Sequence, residues 1–406
     1  MPVDLLCFSH LRWDFVYQRP NHLMARAAKS RRVFFVEEPV DLPANDGRIP
    51  RPRLDRAVRE GVRVVVPRLP AAGDPLERRT MLRGLIDDLV DAERVEDPVR
   101  WYYTPMALPW SDHIAAAAVV YDCMDDLSGF RDPPAGLLAL EQRLIASADL
   151  LFTGGRRLYE SKGATHVDRH LFPSSVDRSH FAKARAAQAD PADQAPIGHP
   201  RLGYFGVVDE RMDMALLEAV AKLRPDWQIV LVGPIAKIDQ ADVPALPNVH
   251  RLGPRAYAQL PAYLSGWDVA IMPFAHNSAT RFISPTKTPE YLAGGRPVAS
   301  TAIADVVDPY GRLGLVEIGD GPDAFADAVT RALATDRREL ERRADAFLDG
   351  MSWDRTWASM SELIERAVVR HGVRVAAEEA PKEKAAVKAS AVAALAGASA
   401  RVGARE

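Results

Sequence analysis

Cysteine is nearly absent from this chain: only Cys7 and Cys123 among 406 residues carry a thiol. Both sit in or beside apolar, strand-like runs, so they read as buried reduced thiols rather than a disulfide or a metal site. A disulfide-stapled scaffold is thereby excluded, and reduced thiols suit the cytosol. An excess of one charge is also lacking. The formal net charge is -3, which excludes a global attraction to nucleic acid, although Arg51, Arg53 and Arg56 cluster locally. No apolar run approaches the roughly 20 residues of a membrane-spanning helix. The opening residues, Met1 to Phe8, lack the basic region of a signal peptide and begin like a strand. The expectation is a cytoplasmic protein whose contact with the inner membrane is at most peripheral, through Lys382, Lys384 and Lys388.

What is present is alternation. Short, valine-rich apolar runs recur at Val3–Phe8, Val33–Val36, Val62–Val66, Trp101–Tyr103, Ala117–Tyr121, Leu150–Thr153 and His170–Phe172. Near-continuous apolar runs are how strands buried on both faces of a parallel sheet read. Helical patterns lie between them, as at Asn21–Lys29, Glu77–Glu93 and Leu137–Ser147. Together they predict an α/β domain over residues 1–182. Residues 183–200, rich in Ala, Asp, Gln and Pro, read as a linker or exposed loop. The pattern restarts at Arg201 and yields a second α/β domain over 201–352, then a helix over 353–372. From 373 to 406 the composition shifts to Ala, Lys, Glu, Ser and Gly, which predicts disorder. Two such domains in succession predict a ligand cleft between them, beyond the carboxyl ends of the strands.

The most informative segment runs from Ser284 to Thr301, after the strand Asp268–Phe274. Pro289 cannot lie deep in a helix. Thr288 suits an N-cap and Pro289 the first helical position, so a helix is expected to start at 289 and stop near Gly294-Gly295. Free N–H groups of Glu290 and Tyr291, with Ser284, Thr286 and Lys287 in the preceding turn, would together make a diphosphate site. A carboxylate is unwelcome beside phosphates, so Glu290 is better used to accept hydrogen bonds from ribose hydroxyls. The structural alternative is an ordinary capped helix.

These residues resemble the retaining GT-B glycosyltransferases of family 4, whose bacterial polysaccharide members carry S-P-x-K-x-x-E-Y-x-A-x-G-x-P-V. Ser284, Pro285, Lys287, Glu290, Tyr291, Ala293, Gly295, Pro297 and Val298 match in register. Supporting segments include Phe8 to Asp14, Gln18-Arg19-Pro20, Tyr121 to Asp126, Gly203 to Gly206 and Ser352-Trp353-Asp354. The resemblance spans about residues 3–365. It implies two facing Rossmann-like domains, a nucleotide-sugar donor, expected to be a UDP-sugar, and a saccharide or lipid-linked acceptor from cell-envelope synthesis. One departure stands out. Many relatives carry two glutamates eight positions apart; Glu290 keeps the second, but Phe282 occupies the first, which touches the donor sugar.

The expected donor site is Gly206, Arg211, Ser284, Thr286, Lys287, Glu290 and Tyr291. Arg211 and Lys287 are expected to stabilise the leaving diphosphate; the bland reading of Arg211 is a solvated surface arginine. Gly206 allows close approach of backbone to ligand. Arg251 to Arg255 lie in the loop that holds the base in the resembling family, and Arg281 precedes the phosphate loop. In the first domain, His10, Arg12 and Trp13 follow the first strand and are candidates for the acceptor, with Trp13 equally suited to the core. Asp122, Asp125 and Asp126 follow the strand Ala117–Tyr121, and Asp125 is the candidate base. No metal and no cofactor are expected. Two rivals share the pattern: a sugar-nucleotide epimerase, and a non-catalytic nucleotide-binding scaffold.

Overall fold

The computed structural model describes residues 2–43, 50–162, 166–186 and 188–373. Among them, the first half builds a nine-stranded sheet. Its strands are β1 (Leu5–Ser9), β2 (Val33–Glu37), β3 (Val40–Leu42), β4 (Arg53–Arg59), β5 (Val62–Pro70), β6 (Val99–Tyr102), β7 (Ala118–Cys123), β8 (Leu150–Thr153) and β9 (Arg169–Leu171). The order is β3-β5-β2-β1-β6-β7-β8-β9, with β4 antiparallel on the outside of β5. The central strands are buried at nearly every residue, because helices cover both faces, and this is why they show no polar alternation. Of the local arginines, Arg53 and Arg56 sit on β4 and are paired, Arg53 with Asp55 and Arg56 with Glu93.

The second sheet is parallel throughout: β10 (Arg201–Phe205), β11 (Gln228–Val232), β12 (Val249–Gly253), β13 (Val269–Met272), β14 (Val298–Ser300) and β15 (Glu317–Ile318). Its order, β12-β11-β10-β13-β14-β15, reverses direction between β10 and β13. That is the doubly wound dinucleotide-fold order, and the crevice at the reversal is where such sheets take ligands. Its core packs Trp227, Trp267, Phe205 and Tyr291.

Four helices matter for the site: α1 (Arg19–Ala27), α2 (Arg156–Ser161), α3 (Lys287–Ala293) and α4 (residues 353–373). The buried Arg19 at the start of α1 forms a bidentate pair with the fully buried Asp122 at the end of β7, at 2.8 and 3.0 Å. Gln18-Arg19-Pro20 is therefore a structural clamp. Helix α4 returns to the first domain. Trp353, Trp357, Met360, Ile364 and Ala367 complete the core around Leu5, Cys7 and Trp101.

The segment 183–200 departs from the expectation of an exposed linker. Ala184, Gln194 and Ile197 are buried. The Gln194 amide accepts from the Trp267 indole N–H at 2.9 Å, and Asp190 pairs with Arg201 at 2.6 Å. The segment is held by polar side chains aimed at specific partners, which leaves no apolar period to read. Cys7 and Cys123 are buried and unpaired. None of the described helices is long and apolar enough to cross a membrane. Residues 374–406, the tail with its three lysines, lie outside the described residues.

Candidate active site

A cleft of about 550 Å³ runs between the two sheets. One wall comes from the first domain through Trp13, Tyr17, Glu60 and Asp125; the other from Gly206, Arg211, Tyr257, Ser284, Thr286, Lys287 and Glu290. The loop after β10 and the strand end of β13 are stitched together: Ala275 N–H donates to the Arg211 carbonyl and Asp213 N–H to the Pro273 carbonyl, both at 2.8 Å. Arg211 is thereby carried to the reversal point of the sheet.

Helix α3 starts at Lys287, two residues earlier than expected. Thr288 is not the N-cap; its hydroxyl is fully buried against the Met272 sulfur at 3.5 Å. Pro289 fits two residues deeper than expected because the first four N–H groups of a helix have no intrahelical acceptor to lose. Lys287 is thus anchored on the helix rather than in a turn. With seven residues the helix makes about two turns, so the positive charge of the site comes mainly from side chains.

The Lys287 ammonium lies over the turn at Gly206. Gly206 has φ of +133°, and a Cβ there would sit 2.3 Å from Lys287 Cε. A side chain at this position would displace the ammonium. Arg211 is held by Asp209, whose buried carboxylate accepts from Nε at 2.9 Å and Nη2 at 2.7 Å. Its guanidinium also faces the Phe130 ring, which the first domain supplies, at 5.6 Å. Burial and the neighbouring Arg211 push the Lys287 ammonium down from lysine's ordinary value, while Glu290 opposes the shift. Burial pushes the Glu290 carboxyl up, against Lys287. An anion entering this site relieves the crowding of two cations.

Asp125 reaches the same cations from the opposite wall. Burial raises its carboxyl, and Arg211, Lys287 and Arg19 oppose the rise. Capping falls to its neighbour: Asp126 accepts from Ser128 N–H at 3.3 Å and from the Ser128 hydroxyl at 2.7 Å. Asp125 is left free of that duty.

Several expected contacts are placed elsewhere. Tyr291 is fully buried, with its hydroxyl accepting from Phe205 N–H at 3.1 Å, so it pins α3 to β10 and does not reach the cleft. Arg12 pairs with Glu37 at 3.0 Å and donates to the Glu38 carbonyl at 2.5 Å, which ties the ends of β1 and β2 together. His10 is kept neutral, lowered to about 4 by burial and by Lys237, and it does not line the cleft. Trp13 borders the cleft but is 6% exposed, packed edge-on against Phe35. Arg255 is engaged by Asp193 and Tyr263. Phe282 packs against the apolar core of the first domain, so the position lacking a glutamate holds an interdomain contact.

Asp209, Tyr257 and Asp305 escaped sequence reasoning. The Asp305 carboxylate accepts from the N–H groups of Arg156 and Arg157 at 2.9 and 3.3 Å, so the second domain caps α2 of the first. Only the short spacing of Asp209 and Arg211 offered a signal. Among the described residues, no cluster of His, Cys, Asp or Glu is arranged to hold a metal.

Residues 199–335 match the family described as Glycosyl transferases group 1. The chain is a glycosyltransferase of the GT-B fold. Its transferase domain is thus the one that supplies Lys287, Arg211 and Glu290. The chain is also 27% identical over 295 residues to the putative teichuronic acid biosynthesis glycosyltransferase TuaH of Bacillus subtilis, covering 66% of this chain and 74% of that one. Two solved structures share its fold. One is a sucrose-phosphate synthase from Thermosynechococcus elongatus, with TM-score 0.68, 16% identity, and 91% and 100% of the two chains covered. The other is a UDP-forming alpha,alpha-trehalose-phosphate synthase from Burkholderia xenovorans in complex with glucose-6-phosphate, with TM-score 0.62, 13% identity, and 90% and 100% covered.

Proposed function

We propose that this glycosyltransferase moves a hexosyl unit from a nucleotide diphosphate sugar, UDP-linked as the first choice, to a saccharide or lipid-linked acceptor in cell-envelope polysaccharide or glycolipid synthesis. The observation that carries the donor assignment is the meeting of Lys287 and Arg211 at the reversal point of the second sheet, over a glycine turn, beside Glu290. Arg211 is paired with the buried Asp209 while Lys287 has no direct ion pair among the described residues, so the site suits a diphosphate that brings further negative charge. The envelope acceptor is supported by the relative named for teichuronic acid biosynthesis.

In this reading the bond from the anomeric carbon to the diphosphate oxygen breaks while Lys287 and Arg211 neutralise the charge that builds on the leaving group. The acceptor hydroxyl forms the new bond and gives its proton to Asp125. Ser284 and Thr286 offer hydroxyls to the phosphate oxygens, and Gly206 lets the backbone approach them. Contacts across the cleft exclude water and limit hydrolysis.

A thermal-shift screen of UDP-, GDP- and dTDP-sugars tests the donor class, since a ligand that binds only the native state raises the melting temperature. A sugar nucleotide should stabilise the wild type and fail to stabilise Lys287→Ala. Equal stabilisation of both would overturn the phosphate site. Product analysis without acceptor separates transfer from epimerisation, which would release an altered sugar nucleotide.

A further inference from the structure

Tyr257 lines the cleft on the loop after β12. Four rings pack against it. The His180 ring stacks on it at 4.2 Å and 11°, and Tyr17 of the first domain at 4.7 Å and 28°. Phe181 and His22 meet it edge-on, at 5.7 and 5.4 Å. The ring has almost no freedom to turn. Yet its hydroxyl is buried and has no hydrogen-bond partner among the described residues. Glu290, which borders the same cleft, also makes no side-chain hydrogen bond among the described residues, and it acts electrostatically on Tyr257.

A buried hydroxyl without a partner costs about as much as a lost hydrogen bond, so its persistence needs a reason. A carboxylate can only accept, and a phenol both donates and accepts. A vicinal diol answers both at once: one hydroxyl donates to the carboxylate, and the other accepts a hydrogen bond from the phenol. A ribonucleotide carries that diol on the sugar that bears its diphosphate, and Glu290 lies three positions after Lys287 on α3.

We infer that Tyr257 is a ribose-recognition residue, its hydroxyl and the Glu290 carboxylate together holding the 2′,3′-diol of the donor nucleotide. The inference rests on the donor site proposed above. It makes the site selective for ribonucleotides, because a deoxy sugar leaves a buried hydroxyl unanswered. The Tyr17 stack makes the first domain the support that keeps the phenol in place.

Calorimetry of UDP and GDP and their 2′,3′-dideoxy analogues with wild type and Tyr257→Phe tests it. The phenyl ring keeps the stacks, so the melting temperature should hold. Affinity for the ribonucleotide that binds the wild type should fall about 2- to 13-fold, the worth of one neutral hydrogen bond. Affinity for its dideoxy analogue should not change. Equal losses for both, or no loss for either, would overturn the assignment while leaving the donor site intact. A wild type that binds neither UDP nor GDP would overturn the donor site and this inference with it.

Discussion

Lys287 makes no direct ion pair among the described residues, and burial beside Arg211 lowers its proton affinity. A bound diphosphate reverses that, since negative charge favours the ammonium. The bound state then holds more protons than the free one. Nucleoside diphosphate affinity should therefore fall as pH rises from the depressed value of Lys287 toward lysine's ordinary 10.5. Calorimetry in buffers of different ionisation enthalpy should show proton uptake in that window. Glu290 acts with the opposite sign, because hydrogen bonds from ribose favour its ionised form and release a proton. Glu290→Gln should leave the uptake by Lys287 visible alone. Lys287→Ala should cost about 1.5–3 kcal/mol of diphosphate binding, read in the same titrations. Asp125→Asn is expected to lower turnover about 100- to 10,000-fold. Because Asp125 opposes the incoming charge, donor affinity in that variant should hold or rise. Near-normal turnover would remove Asp125 from the reaction.

At the scale of elements, the capping of α2 by Asp305 joins a helix of one domain to a side chain of the other. Replacing a capping carboxylate by alanine costs about 0.5–2 kcal/mol. Here that cost falls on the closed arrangement. Asp305→Ala should thus shift the population toward open forms, seen as a larger radius in small-angle scattering with donor present; Asp305→Asn should recover much of the difference. The elements most legible in the sequence were those buried on both faces. Every long apolar run became a strand within a few residues, and the Lys287–Glu290 spacing led directly to the cleft. Strand β4, Arg-Leu-Asp-Arg-Ala-Val-Arg, was not legible because no residue in it is buried. The start of α3 is not legible because proline is tolerated throughout the first turn of a helix, so Pro289 does not mark the first helical position. Segment 183–200 hid its packing in polar pairs. Tyr291 could not be told from a ligand contact, since motif residues that brace a site and those that touch the ligand share one spacing.

Across the whole molecule, the two halves meet at more than the cleft floor. The Ser278 hydroxyl donates to the Gly129 carbonyl at 2.6 Å, Arg131 N–H donates to Glu210 at 3.0 Å, and the Phe130 ring lies under the Lys237 ammonium at 4.2 Å. Helix α4 adds a joint of another kind, apolar and extensive. Trp357→Ala should destabilise the protein by about 3–5 kcal/mol, as large core truncations do, measured by denaturant unfolding. Deleting residues 374–406 should leave the melting temperature nearly unchanged, as their composition suggests; a large drop would show that they pack on the body.

The return of α4 also bears on how the chain is born. A ribosome delivers the first sheet long before residues 353–373 emerge, so the apolar surface around Leu5, Cys7 and Trp101 waits uncovered while the whole second domain is made. A fragment of residues 1–182 should accordingly be aggregation-prone when expressed alone. Supplying residues 353–373 as a separate peptide should rescue it, recovering soluble material and a cooperative melt. The donor domain, whose core lies within its own segment and the crossover before it, should fold without such help.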